Sequence, residues 1–131
     1  MMITPEMLAK SGTEDGHQAA LFCWAALNIK QYPQLKWMHA IKNDNGHRRV
    51  AQGVRGGVVD IFLPVPVSGF DFYSGLYIEL KKRGRQKEKN GGLSQKQIDF
   101  LEYAGNIGYA TKVCYGWEEA RNKILEYLKG S

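Results

Sequence analysis

The stretch GLYIELKKRGRQKEK, residues 75–89, decides how the chain is read. Its first half alternates: Leu76, Ile78 and Leu80 are apolar, and Tyr77, Glu79 and Lys81 stand between them. Successive side chains of a β-strand point to opposite faces, so the first set shares one face and the second set the other. A strand from Leu76 to Lys82 therefore buries three aliphatics and places Glu79 beside Lys81 on a single side. The run then turns strongly basic, with six lysines and arginines against Glu88 alone over residues 81–89.

Upstream, VVDIFL (58–63) is β-branched and apolar, the composition of a buried strand, and Pro64 and Pro66 end it. Period-two alternation sets Asp60 between Val58 and Phe62. A carboxylate inside an apolar strand must be paired, hydrogen-bonded or bound to metal, because burying it alone is expensive. If the two strands are neighbours, Asp60 and Glu79 converge at one end of the sheet. Two carboxylates with a lysine alongside form a hard-oxygen site suited to Mg²⁺ and to phosphodiester hydrolysis. The same residues admit a structural reading: Asp60 bonded to turn amides, and an exposed Glu79–Lys81 pair on an edge strand, which contributes little. Spacing alone leaves both readings open.

The flanking elements follow from caps and periodicity. Ser11 and Glu14 fit a capping box, predicting a helix from near Gly12 to before Pro33 with Ala20, Trp24 and Leu27 inward. Trp37 to Ile41 reads as a short strand, 42–57 as a glycine-containing loop or wide hairpin, and VSGFDFYSG (67–75) as a turn-rich link. Ser94 and Gln97 form a second capping box opening a helix with Ile98, Leu101 and Ala104 or Tyr103 available to the core. Tyr109 to Tyr115 alternates as a strand, and Trp117 to Lys129 is amphipathic through Ala120, Ile124, Leu125 and Leu128. The order α-β-β-β-α-β-α implies an α/β fold, one mixed sheet with helices on its faces.

With 131 residues, 44% hydrophobic and 24% charged, the chain matches a single globular domain rather than a disordered one. No apolar run approaches the roughly 18 residues of a membrane span, and MMITPEMLAK lacks the pattern of a signal peptide, so a cytoplasmic protein is expected. Cys23 and Cys114 are isolated, which argues against zinc. The net charge of +5 gathers in two short segments, 42–55 and 81–89. Such clustering points to a polyanion partner, although solvated loops would look the same. The candidate phosphate contacts are Arg48, Arg49, Arg55, Lys82, Arg83, Arg85 and Lys87. His17 stands one helical turn after Glu14, and His47 lies in DNGHRR without partner histidines.

GVVDIF, GLYIELKK, LSQKQIDFL and GYATKVCYGWEEARNKILEYL together resemble the VRR-NUC (virus-type replication-repair nuclease) family. That family is a branch of the PD-(D/E)xK superfamily with the αβββαβ core order, and the resemblance runs from about Thr13 to Leu128. It implies metal ligation by Asp60, Glu79 and the Leu80 carbonyl, with Glu14 on the first helix helping to hold the ion. It further implies Lys81 as the catalytic lysine and Gln97 as an active-site glutamine; Gln97 and Glu14 equally serve as capping residues. Val59 stands where the family usually has proline, and the 42–57 loop is short and unusual. The activity so implied is an Mg²⁺- or Mn²⁺-dependent DNA endonuclease, with junction resolution by a homodimer as the foremost expectation. Cutting of flaps, duplex or single strands, and binding without turnover, are the alternatives.

Overall fold

The computed structural model describes residues 2–41, 53–69 and 71–130. Four helices, α1 (Pro5–Ala9), α2 (Glu14–Leu27), α3 (Gln95–Asn106) and α4 (Trp117–Leu128), surround strands β1 (His39–Ala40), β2 (Ile61–Leu63), β5 (Leu76–Lys81) and β6 (Ala110–Tyr115). The strands lie in the order β1-β2-β5-β6, with β6 parallel to β5 and the other pairs antiparallel. The link between β2 and β5 forms a separate small hairpin of β3 (Val67–Ser68) and β4 (Phe72–Tyr73). The α/β order expected from the sequence is present, with α1 and this hairpin added.

The alternation of β5 divides the molecule into two layers. Leu76, Ile78 and Leu80 are buried with Ile61 and Leu63 of β2, Ala20, Leu21 and Trp24 of α2, and Ala120, Ile124 and Leu128 of α4. Across the sheet, Tyr77 meets Phe62 with ring centroids 4.5 Å apart and Phe100 of α3 at 5.1 Å, edge to face. One helix pair thus covers the aliphatic face, and α3 covers the face that carries Glu79 and Lys81. Because β5 lies between β2 and β6, Glu79 and Lys81 belong to an interior strand, not an edge.

The first helix boundary differs from the expectation. Gly12 adopts φ +76, which ends the first helical segment, and Thr13 rather than Ser11 caps α2 by accepting the Gly16 amide at 3.0 Å. A threonine–proline pair, with Thr4 capping and Pro5 opening the helix, specifies α1. The two helices approach at Gly16, where a Cβ would lie 2.6 Å from Ser11 Oγ and 2.8 Å from the Leu8 carbonyl. Leu27 is exposed rather than inward, and Ala104 rather than Tyr103 is the buried residue of α3. Residues 33–37 form a 3₁₀ turn, so only His39 and Ala40 remain of the strand expected at 37–41. The second capping box is present as read, with both reciprocal bonds between Ser94 and Gln97.

Candidate active site

Pairing of β2 with β5 sets Ile61 opposite Ile78, so Glu79 and Leu80 run past the start of β2 to where Asp60 stands. Asp60 precedes the strand, and its Oδ2 accepts the Leu80 amide at 3.1 Å. Its own carbonyl accepts the Ile41 amide at 2.6 Å, fixing the backbone on the β1 side as well. Three β-strands thereby lock Asp60 at one end of the sheet.

Glu79 and Lys81 are nearly inaccessible, at 2% and 5% exposure. Glu79 Oε2 accepts from Lys81 Nζ at 3.3 Å and from Gln97 Nε2 at 3.0 Å. Gln97 Oε1 accepts in turn from Lys81 Nζ at 3.3 Å and from the Ser94 amide at 3.0 Å. The backbone donor at Ser94 dictates which end of the Gln97 amide faces Glu79. Gln97 is therefore both cap and site residue, and the capping box aims its NH₂ group.

The other oxygen of Glu79, Oε1, is buried with no hydrogen-bond partner among the described residues. Asp60, opposite Glu79 at the start of β2, disfavours ionisation of the Glu79 carboxyl through its charge and its side chain. Burial first, and then the Asp60 charge, push the Glu79 carboxyl up to about 8, against the opposing pull of Lys81. Burial likewise raises Asp60. A buried and a half-buried carboxylate that repel each other are relieved by a proton or a cation between them. The donor set is all oxygen, and two carboxylates suffice for an ion that completes its shell with water and phosphate oxygens. Asp60 and Glu79 therefore fit a divalent cation such as Mg²⁺ or Mn²⁺.

Glu14 stands apart from that pair. Its charge reaches Asp60, but Oε1 accepts from Arg85 Nη1 at 2.7 Å, and no third acid joins Asp60 and Glu79 among the described residues. A cleft of about 530 Å³ opens there, lined by Thr13, Glu14, Asp15, Lys82, Arg85 and Glu88. The basic segment bounding it is folded on itself. Arg83 pairs with Glu118, and Arg85 bonds Glu14, Glu88 and the Gly92 carbonyl. Lys82, Lys87 and Lys89 are exposed and enter none of the ion pairs among the described residues. Arg55 Nη1 donates to the Val54 carbonyl at 3.4 Å, while Arg48, Arg49 and His47 lie outside the described residues.

Two anchors were not read in the sequence. Tyr115, opposite Lys81 in the β5–β6 register, donates its hydroxyl to the Gly91 carbonyl at 2.8 Å and fastens the loop after β5. Gly91, at φ +63, has no room for a Cβ beneath the Tyr115 hydroxyl. His17 is buried, and its Nδ1 accepts the Trp117 amide at 3.1 Å, capping α4 from α2 instead of facing the acids. The signal for it was Gly116, a helix N-cap with no side chain of its own to accept that amide.

An aspartate before one strand, a glutamate and a lysine two residues apart on its antiparallel neighbour, and an α-β crossover that returns parallel define a nuclease domain of the PD-(D/E)xK type. Within that class the chain has the fold of a VRR-NUC domain. It superimposes on a solved structure described as a "VRR_NUC domain protein" with TM-score 0.73 and 25% identity, covering 91% of this chain and 90% of that one. No family model and no curated protein matches the sequence. None of the described helices is long and apolar enough to cross a membrane.

Proposed function

We propose that this chain is a divalent-cation-dependent DNA endonuclease that hydrolyses phosphodiester bonds, with four-way junctions as its preferred substrate. The observation that carries the catalytic part is the buried Glu79 Oε1, without a hydrogen-bond partner among the described residues, with Lys81 3.3 Å from the other Glu79 oxygen. Junction preference and a symmetric homodimer rest on the resemblance to stand-alone VRR-NUC proteins. Two sites related by a two-fold axis suit paired nicks across a branch point.

Asp60 and Glu79 would hold the cation, with the Leu80 carbonyl and Glu14 contributing from the strand end and from α2. Bound there, a divalent ion lowers the pKa of water and polarises a phosphate oxygen. Lys81 keeps an ammonium group between Glu79 and Gln97, where it orients the attacking water and balances charge as the phosphorus becomes five-coordinate. The water oxygen would bond to phosphorus as it releases a proton to solvent, the bond to one ester oxygen would break, and that oxygen would take up a proton from solvent, leaving a phosphate monoester and a hydroxyl end. Gln97 fixes the carboxylate plane of Glu79. Lys82, Lys87 and Lys89 give the phosphate backbone its contacts and supply no base readout.

The deciding experiment incubates purified protein with a labelled four-way junction, a flap and a linear duplex of shared sequence, in Mg²⁺, in Mn²⁺ and in EDTA. Metal-dependent cutting that favours the junction is the expected result. Preference for flap or duplex would replace the substrate assignment, and salt-sensitive binding without cleavage in either metal would replace the nuclease by a binding module.

A further inference from the structure

The acid pair has an aromatic neighbour on the same side of the sheet. Strand register sets Phe62 of β2 between Tyr77 of β5 and His39 of β1. Glu79 follows Tyr77 by two residues and Asp60 precedes Phe62 by two, so the three rings form the next row of side chains, about 7 Å along the strands from the acids. The two ends of this row have different surroundings. At the inner end Tyr77 packs edge to face on Phe100 of α3, 5.1 Å between centroids, which is ordinary core packing. At the outer end His39 is exposed at the edge of the four-stranded sheet and stands edge-on to Phe62 at 5.8 Å. Beyond it Trp37 is 66% exposed, while Met38 between the two is buried in the aliphatic core.

These rings are set in place although they are open. His39 Nδ1 donates to the Trp37 carbonyl at 2.9 Å, and Phe62 lies so close over Gly75 that a Cβ there would be 2.8 Å from its ring. Lys36 Nζ stands 5.4 Å from the centroid of the Trp37 ring. Residues 16–41 contain Lys30 and Lys36 and neither aspartate nor glutamate. Ring faces beside lysines, with no acid in the segment, complement a nucleotide, which offers its base to the ring and its phosphate to the ammonium. Continuity with the acids points the same way: a strand whose phosphate sits at Asp60 and Glu79 reaches this row with its next nucleotide. Bases in a duplex stack on one another and are closed to a side chain, so only an unpaired nucleotide can use the rings. We infer that Trp37 and His39, with the open edge of Phe62, form a stacking site for unpaired nucleotides beside the scissile phosphate. The enzyme then selects DNA that is open next to the cut, and at a four-way junction those nucleotides lie at the branch point. This rests on reading Asp60 and Glu79 as the cleavage site, and it adds the feature of the DNA that is recognised.

The test uses the full chain in EDTA, where binding is read without cleavage, with a labelled oligothymidylate and a hairpin duplex of matched length. Trp24 and Trp117 are buried, so Trp37 is the exposed tryptophan whose emission a stacked base quenches. Oligothymidylate is expected to quench wild type in step with binding followed by anisotropy of the label. The double variant Trp37→Ala/His39→Ala should lose about 5- to 100-fold in affinity for the single strand and far less for the duplex. Should it fail to fold, Trp37→Ala alone decides in the same way, and Trp37→Phe, which keeps a stacking face, should restore most of the affinity. Failure of wild type to bind oligothymidylate, binding without quenching, equal losses for single strand and duplex, or wild-type affinity in the alanine variants would overturn the inference. So would Trp37 emission that shifts to the blue with protein concentration in the absence of DNA, which would assign the rings to a second copy of the chain. Metal-dependent cleavage without quenching would overturn the stacking site alone. Quenching without cleavage in Mg²⁺ or Mn²⁺ would overturn the nuclease reading and leave the rings as a nucleotide-binding site.

Discussion

Two ionic arrangements leave the same strand and are built on opposite principles. Within β5, Glu79 and Lys81 are buried beside the half-buried Asp60 and Gln97, and one glutamate oxygen has no donor among the described residues. Just past its end, Arg83 and Arg85 are at least partly open to solvent, and each has found an acidic partner. The inner group leaves one carboxylate oxygen without a partner among the described residues and is held in place by β2, β5 and α3. The outer group satisfies itself and could be rearranged at little cost, since exposed ion pairs contribute about 0–1 kcal/mol. The contrast separates a buried carboxylate that lacks a full set of partners among the described residues from a loop whose charges pair with one another. It also shows that basic residues crowded in sequence need not form a basic surface.

The sharpest way to break that contrast is to relieve the inner strain. Glu79→Gln removes a charge that burial and Asp60 both oppose, so cleavage should fall by roughly 10³-fold or more while the metal-free protein melts several degrees higher. The sign follows from the raised carboxyl. Glu79 binds a proton in the folded state at pH values where the unfolded chain has released it, so its effect on stability turns unfavourable as pH rises from 4.5 to about 8. The gain from Glu79→Gln should accordingly be larger at pH 8.5 than at pH 5.5 in thermal melts with EDTA. A variant that is less stable at the higher pH would show that the carboxylate is satisfied after all.

Lys81→Met acts in the opposite sense on the same group. It leaves Glu79 buried without its counter-charge, so turnover should fall by roughly 10²–10³-fold, and stability should fall too, most of all above pH 8 where the carboxylate must ionise. Cleavage rates and melts on one preparation check both. Wild-type turnover would remove Lys81 from the chemistry.

How much of this was legible follows from the range of each interaction. The period-two alternation of residues 76–81 is local, and it correctly set Glu79 and Lys81 on one face. The convergence of Asp60 with Glu79 needed only that two strands be neighbours, which a short connection favours. Ser94 and Gln97 were readable because a capping box spans three residues. Ser11 misled because Thr13 offers the same hydroxyl two residues on, and the left-handed turn at Gly12 decides between them. Arg85 with Glu14, and His17 with Trp117, join residues 71 and 100 positions apart, and no pattern along the chain encodes those distances. The basic run was visible as composition, but which cations stay free is a property of the folded loop.

That point yields a third prediction, smaller in effect and aimed at the outer arrangement. Replacing Lys82, Lys87 and Lys89 by glutamine should weaken DNA binding and flatten its salt dependence by roughly 0.9 in the log–log slope for each phosphate no longer neutralised. Arg83→Gln should leave the slope unchanged, because that guanidinium already lies on Glu118. Titrations of binding between low and moderate salt distinguish the two. Equal slopes for the triple lysine variant and wild type would mean that this face of the loop does not meet phosphate.

The smallest expected effect comes from His17, an interior polar group that, unlike the acids, is satisfied. Its neutral imidazole accepts the Trp117 amide at the start of α4, where Gly116 offers no side-chain cap. Burial, and then Arg83, hold its pKa below the usual 6.5 against the pull of Glu118, so the folded state favours the neutral ring. Folded and unfolded states bind the proton alike above 6.5; below it the unfolded chain binds more, and stability declines as pH falls toward the folded-state pKa. Protonation also converts Nδ1 from acceptor to donor and ejects the Trp117 amide from its bond. His17→Phe should cost about 1–3 kcal/mol at pH 7.5 through the unsatisfied amide, and its stability should then vary less between pH 7.5 and 5 than that of wild type. Parallel pH slopes for the two proteins would assign the acid sensitivity to some other group and leave His17 a packing residue.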